Sequence, residues 1–312
     1  MSAGVQAVTV TANPAIDQTV FVPGFRAGEV NRVQREEHSP GGKGVNVAAF
    51  LAAAGVPVLA TGFLGRPNAG LFETFFAETA IAHRFVGVAG ATRTGIKIVD
   101  EAGSTTDLNF PGFAVGEIEL RALEDALGAE VAPGRWVVLA GSLPPGAPAE
   151  TYRRLTELVH ERGGRVALDT SGPALAAALG AGPELVKPNR EELEELARRP
   201  LPDRDALVAA ARELAASGIA TVVVSLGAEG ALFVRAGETV FATPPPVRVA
   251  STVGAGDAMV AGTVAATLRG LPLAAVAATA TAFSAVAIAR VGPRLDPGAV
   301  AAARREVGVE SL

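Results

Sequence analysis

The run Ser251-Thr252-Val253-Gly254-Ala255-Gly256-Asp257 joins a glycine turn to a carboxylate at the head of a helix-forming stretch, residues 258–268. Gly254 and Gly256 let the backbone turn sharply and leave room for a ligand to approach. The first amides of a helix have no internal partners and, with the helix dipole, form an anion site. A carboxylate beside a bound phosphate is repulsive, so anion storage alone does not explain Asp257. A reacting hydroxyl between the two does: Asp257 takes its proton, and the amides stabilise charge on a transferring phosphoryl group. A helix capped by Asp near a glycine turn is the plainer alternative.

A second glycine turn, Gly41-Gly42-Lys43-Gly44-Val45-Asn46, also opens a helix. It is not a Walker loop, because the required upstream glycine and the Ser/Thr after the lysine are missing. Its polar groups could hydrogen-bond a sugar. There is no dinucleotide fingerprint either, since the turn after residues 5–11 is Ala12-Asn13-Pro14. Of 27 basic residues only three are lysine, Lys43, Lys97 and Lys187. A chain that uses arginine almost everywhere places lysine where a compact ammonium is wanted. Lys187-Pro188-Asn189-Arg190-Glu191-Glu192 follows a short strand and opens a helix, with Asn189 and Glu192 at capping-box spacing. The same two side chains could face a hydrated Mg²⁺ on a nucleotide. Ser225-Leu226-Gly227-Ala228-Glu229-Gly230 ends a buried strand, where parallel sheets place their ligands, although a hairpin turn would have the same composition.

Composition narrows the classes. The chain has 312 residues, 27 basic against 32 acidic, for a net charge of −5. With no basic run it does not fit a nucleic-acid binder. Cysteine is absent and only three histidines are present, which excludes disulfides and thiol catalysis and disfavours a zinc centre. Residues 1–10 lack a basic start and a long apolar stretch, so no secretory leader is expected and the compartment is read as the cytoplasm. Residues 270–289 carry no charge and are long enough to cross a bilayer. They are mostly Ala and Thr and broken by Pro272, so they are read as a buried helix, with no membrane partner.

The elements that must position these groups alternate. Strands are expected at residues 5–11, 56–64, 136–140, 165–169, 185–187 and 221–225. Helices are expected at 44–55, 69–79, 149–162, 191–199 and 205–217. The pattern implies a mostly parallel sheet with helices on both faces. Two stretches have no helix between strands: 16–22 with 30–38, and 94–99 with 105–110. They read as antiparallel pairs with one wet face, a small lid set into a single domain spanning 1–312, with lid segments at about 16–38 and 93–110.

Together these segments resemble the PfkB (ribokinase-like) family of carbohydrate kinases. GGKGVN is similar to its first signature, TVGAGDAMVAG to its second, and KPNREE carries its N-x-x-E element. TANPAID, TRTGIK, TDLNF and GSLP narrow the likeness to the bacterial 1-phosphofructokinase branch. The resemblance implies a three-layer α/β/α ribokinase-like fold with an antiparallel β lid that mediates dimerisation, and it implies ATP and Mg²⁺. It implies Asp257 as base with Gly254, Ala255 and Gly256 as anion hole. Asp17, Gly41, Gly42, Lys43, Asn46, Arg93, Lys97 and Ser142 would face the sugar. The nucleotide would lie along Lys187, Asn189, the residues Ser225, Leu226, Gly227, Ala228, Glu229 and Gly230, and Ser251, Thr252 and Gly256. Asn189 and Glu192 would reach the metal through water. Ser251 stands where most of the wider family carries Asp; the phosphofructokinase branch resembles this chain there. The expected reaction is transfer from ATP to the 6-hydroxyl of fructose 1-phosphate. Tagatose 6-phosphate or fructose 6-phosphate would be the alternative substrate, and a non-catalytic sugar-phosphate sensor the alternative class.

Overall fold

The computed structural model describes residues 4–101 and 105–312; residues 1–3, in the segment read for a leader, and 102–104, in the second lid segment, lie outside the described residues. The chain begins with β1 (Ala7–Thr11), forms β2 (Ala15–Phe21) and β3 (Arg35–Gly41), and returns through α1 (Lys43–Ala53) to β4 (Val58–Gly65). Then come α2 (Gly70–Thr79), β5 (Ala82–Val88), β6 (Arg93–Val99) and β7 (Thr105–Leu108). Regular alternation follows with α3 (Glu117–Gly128), β8 (Trp136–Ala140), α4 (Thr151–Glu161), β9 (Arg165–Asp169), α5 (Gly172–Leu179) and β10 (Leu185–Val186). The last part holds α6 (Arg190–Ala197), α7 (Arg204–Ala216), β11 (Thr221–Ser225), β12 (Ala231–Arg235), β13 (Glu238–Thr243), α8 (Ala255–Leu268), α9 (Leu273–Ala287), α10 (Pro297–Glu306) and β14 (Gly308–Ser311).

Ten strands make one sheet in the order β14-β13-β12-β11-β10-β9-β8-β1-β4-β5. From β11 to β5 every neighbour is parallel. β1 and β8, central and wholly buried, are continuous apolar or Thr runs, as a strand covered on both faces requires. One face packs Phe50, Phe72, Phe76 and Phe283 from α1, α2 and α9. The other packs Leu123, Tyr152, Leu155 and Leu207 from α3, α4 and α7. The three layers match the sequence reading. The uncharged stretch at 270–289 becomes α9, buried in the first of these cores, and no helix among the described residues is long and apolar enough to cross a membrane.

The lid is a separate four-stranded sheet, β3-β2-β6-β7. Its two outer pairings are antiparallel, as expected, but the central β2–β6 pairing is parallel, a correction to a purely antiparallel lid. The chain leaves the lid after β3 and returns to it only at β6, so both inner strands run outward from the body and must align. The second strand of the first lid pair, expected over 30–38, starts later than expected. β3 begins at Arg35, and Val30 is 91% exposed in the preceding loop. The β12–β14 edge, antiparallel throughout, lies outside the expected alternation: β12 (ALFVR) folds back through the turn at 226–230, and β13 and β14 break their apolar residues with polar ones.

Candidate active site

Parallel strands deliver their C-terminal ends to one rim of the sheet, and the loops that follow carry the candidate residues. Helix α1 starts on that rim. Gly42 has φ 107°, and a Cβ there would sit 2.7 Å from Thr11 Cγ2, so glycine is what lets the helix approach the end of β1. That approach brings Lys43 and Asn46 over the sheet. Helix α8 starts opposite, with Gly254 at φ 82° as its cap and Asp257 in its first turn. Asp257 is buried, and Asn46 Nδ2 donates to its Oδ2 at 2.8 Å. Burial pushes the Asp257 carboxyl up to about 6; the nearby Asp169 charge adds to this, and Lys43, the Asn46 hydrogen bond and Lys187 oppose it. A carboxylate in that range is ionised at neutral pH and still basic enough to accept a proton.

Next to Asp257 lies a cluster that the sequence reading only half finds. Asp169, at the end of β9, is 1% exposed. Its Oδ1 meets Lys43 Nζ at 3.0 Å and Lys187 Nζ at 3.3 Å. Burial alone would raise the Asp169 pKa, but Lys187 and Lys43 hold it below the usual carboxylate range. Burial would likewise lower Lys43, and the carboxylates of Asp169 and Asp257 outweigh it, holding Lys43 above the usual range. Asp169 Oδ2 is buried with no protein partner, a lone pair left for a ligand, a hydrated cation or water. In the sequence Asp169 is simply the last residue of the expected strand 165–169. The available signal was an acid closing an otherwise apolar buried run. Two of the three lysines meet here, as their scarcity hinted.

The lid supplies the other wall. Asp17 on β2 and Lys97 on β6 line a cleft of about 900 Å³, including its open mouth, whose floor reaches Asn46, Ser251 and Gly254. Gly41 lies against the Asp17 carboxylate, and any Cβ there would overlap it. Burial pushes Asp17 up to about 6; Arg93 and Lys97 oppose this and Asp107 adds to it. Lys97 Nζ pairs with Asp107 at 2.6 Å. Arg93 donates to the main-chain oxygens of Phe110 at 3.2 Å and Asn13 at 3.4 Å. The buried Asn13, not singled out from sequence, donates through Nδ2 to Pro111 O at 3.2 Å and to Ser142 Oγ at 3.3 Å. It ties the lid exit to the loop bearing Ser142.

The nucleotide candidates form a block one strand further along. Ser225 bridges to Asn189, and its amide donates to Pro188 O at 3.0 Å. Residues 226–230 close the turn between β11 and β12, so the hairpin reading of that segment describes its local structure. Asn189 Oδ1 accepts from the Glu192 amide at 2.7 Å, and Glu192 Oε2 accepts from the Asn189 amide at 2.9 Å, a complete capping box. The Glu192 charge still reaches Lys43. Among the described residues no three acidic or histidine side chains gather as a metal cage. The oxygens near this block, the unpartnered Asp169 Oδ2 and the Asn189–Glu192 cap, are of the type a hydrated cation accepts. Ser251 and Thr252 sit in the loop before α8, where Thr252 O accepts from the Ala255 amide at a long 3.4 Å.

The model of the pfkB family carbohydrate kinases matches residues 7–297. This chain belongs to that family. It is 52% identical to the 1-phosphofructokinase of Rhodobacter capsulatus over 307 residues, 97% of each chain. It is 48% identical to that of Xanthomonas campestris over 89% of this chain and 90% of the relative. Among solved structures, phosphofructokinase-2 of Escherichia coli in complex with fructose-6-phosphate is similar with TM-score 0.91 and 32% identity, covering 97% of this chain and 99% of that one. The kinase therefore carries its glycine turns, its buried carboxylate and its lid on the ribokinase-like scaffold that the sequence reading expected.

Proposed function

We propose that this kinase transfers the γ-phosphoryl group of ATP to the 6-hydroxyl of fructose 1-phosphate, giving fructose 1,6-bisphosphate. The observation that carries the reading is Asp257: buried, held by Asn46, with its carboxyl at about 6, in the first turn of a helix whose glycine start opens onto a cleft walled by Lys97. Asp257 accepts the proton of the 6-hydroxyl as that oxygen attacks the γ-phosphorus and the bond from phosphorus to the departing ADP oxygen breaks. The amides of Gly254, Ala255 and Gly256 stabilise the charge on the transferring group. Asp17 accepts a hydrogen bond from a sugar hydroxyl, and Gly41, Gly42 and Ser142 shape the sugar's side of the cleft. Arg93 and Lys97 face its phosphate, and Lys43 adds charge between donor and acceptor. The nucleotide lies along Lys187, Asn189, residues 225–230, Ser251 and Thr252. Asn189 and Glu192 would hold Mg²⁺ through water, and the metal would supply positive charge to offset that of the transferring phosphoryl group. The enzyme works in the cytoplasm as a dimer through the lid, whose Leu108 and Phe110 are half exposed and apolar.

Fructose 6-phosphate is the competing substrate, because the Escherichia coli neighbour is solved with it. A sensor without chemistry would not require a basic carboxylate beside the anion turn. ATP turnover over fructose 1-phosphate, fructose 6-phosphate, tagatose 6-phosphate and fructose tests the reading. The highest kcat/KM is expected for fructose 1-phosphate and the lowest for fructose. A higher value for fructose 6-phosphate would overturn the choice of substrate, and no turnover of any sugar phosphate would overturn the kinase reading.

A further inference from the structure

Lys97 is already occupied. It stands directly opposite Asp107 in the antiparallel β6–β7 pair, and the two side chains meet at 2.6 Å within the lid. Both line the sugar cleft, next to Asp17 and Asn109. Lys97 is only 17% exposed as a side chain, so an ammonium left without a partner under the lid would be costly, whereas Asp107 is 52% exposed and can turn out to solvent. The neighbouring cation is bound differently. Arg93 donates to the main-chain oxygens of Phe110 and Asn13, which no side-chain rotation can withdraw. Of the two cations on β6, Lys97, which lines the cleft, is therefore the one whose partner can leave.

We propose that Asp107 is a specificity-determining residue: its carboxylate takes the place at Lys97 that the phosphate of the sugar occupies, and it is displaced when a phosphosugar binds. The proposal rests on the reading of Lys97 as a phosphate ligand. The displaced carboxylate and the incoming phosphate are both anions. Each productive binding event therefore exchanges one ion pair for another, and the dianion prevails because it carries more charge and three acceptor oxygens. A neutral sugar has nothing to exchange, so Lys97 stays with Asp107 and the lid gains no contact from closing. Asp107 thus lowers affinity for the right substrate while keeping the empty lid neutral.

The test is steady-state kinetics of the intact enzyme with Asp107→Asn and Asp107→Glu. Asparagine keeps size and hydrogen bonding but gives up the competition. The KM for fructose 1-phosphate should fall about fivefold, the upper range for a partly exposed pair. The inhibition constant of inorganic phosphate against the sugar should fall with it, while the KM for ATP and the KM for fructose do not. Asp107→Glu should restore wild-type values. An unchanged or raised KM for fructose 1-phosphate in Asp107→Asn would overturn the proposal. A residue that only braces the lid, or accepts a bond from a sugar hydroxyl, gives one of those results. If the wild type proves to use fructose 6-phosphate, the substrate reading alone fails, and the same comparison is read on that sugar with the same two outcomes. If it turns over no phosphosugar, binding of inorganic phosphate decides: tighter to Asp107→Asn supports the exchange, equal refutes it.

Discussion

Lys187 and Lys97 each pair with one aspartate, but the rim of the main sheet (the floor) and the lid hold their pairs differently. At the floor, Lys187 is 6% exposed and Asp169 is fully enclosed, and Lys43 shares the same carboxylate oxygen. Those charges sit on the ends of central strands and the start of a helix, all packed into the two cores. In the lid, Lys97 and Asp107 lie on a four-stranded sheet whose β7 is exposed along its length. The floor is built once and kept, so it suits the phosphoryl chemistry, which gains from fixed charges. The lid pair can be exchanged, so it suits the choice of substrate. On the proposed reading the contrast puts catalytic power and selectivity in different elements, each open to damage without the other.

The largest expected effect is at the floor. Asp169→Ala removes the common partner of two ammoniums and leaves Lys187 buried without its carboxylate, at a cost of about 3–5 kcal/mol. Thermal melts should show it as a large fall in Tm. A variant that melts with the wild type would mean that the floor is not held by this cluster. Asp257→Asn comes next: kcat should fall about 10²-fold or more, with nearly unchanged affinity for ATP. Normal turnover in that variant would remove the base from the account. Lys97→Met acts on the lid only. The KM for fructose 1-phosphate should rise about tenfold, as expected for a lost charge-assisted contact, while the KM for ATP stays close to wild type. Equal changes in both KM values would blur the division between floor and lid. The smallest claim concerns the lid's outer face, where light scattering at micromolar concentration should report twice the 31.5 kDa of one chain. A monomer there would leave the apolar Leu108 and Phe110 without a covering partner.

The glycine turns were legible because their chemistry is local: a helix start, its free amides and a carboxylate occur within seven consecutive residues. The buried strands β8 and β11 were legible for a similar reason, since WVVLA and TVVVS are short apolar runs that need cover on both faces. What escaped depends on distance along the chain. Asp169 meets Lys43 across 126 residues, and Asn46 meets Asp257 across 211. No spacing rule joins such partners; only the common rim of a parallel sheet does. Asn13 was passed over because a buried asparagine after a strand looks like a turn residue until its partners, Pro111 and Ser142, are in place. The parallel β2–β6 junction was hidden because pairing direction follows from where the chain re-enters the lid, which no residue type records.

The central claim is that Asp257 is a buried base, and the pH dependence of kcat at saturating ATP and fructose 1-phosphate tests it most directly. Protonation removes the base, so activity must fall as pH drops through the raised pKa, with a midpoint near pH 6. Asp17 is also pushed up to about 6, but in the proposed reading it binds sugar rather than taking the proton, so Asp17→Asn should keep the acid limb of kcat. The predicted result is one acid limb near pH 6 that survives in Asp17→Asn and vanishes in the residual activity of Asp257→Asn. A kcat that stays level from pH 5 to pH 8, or a limb that persists unchanged in Asp257→Asn, would contradict it.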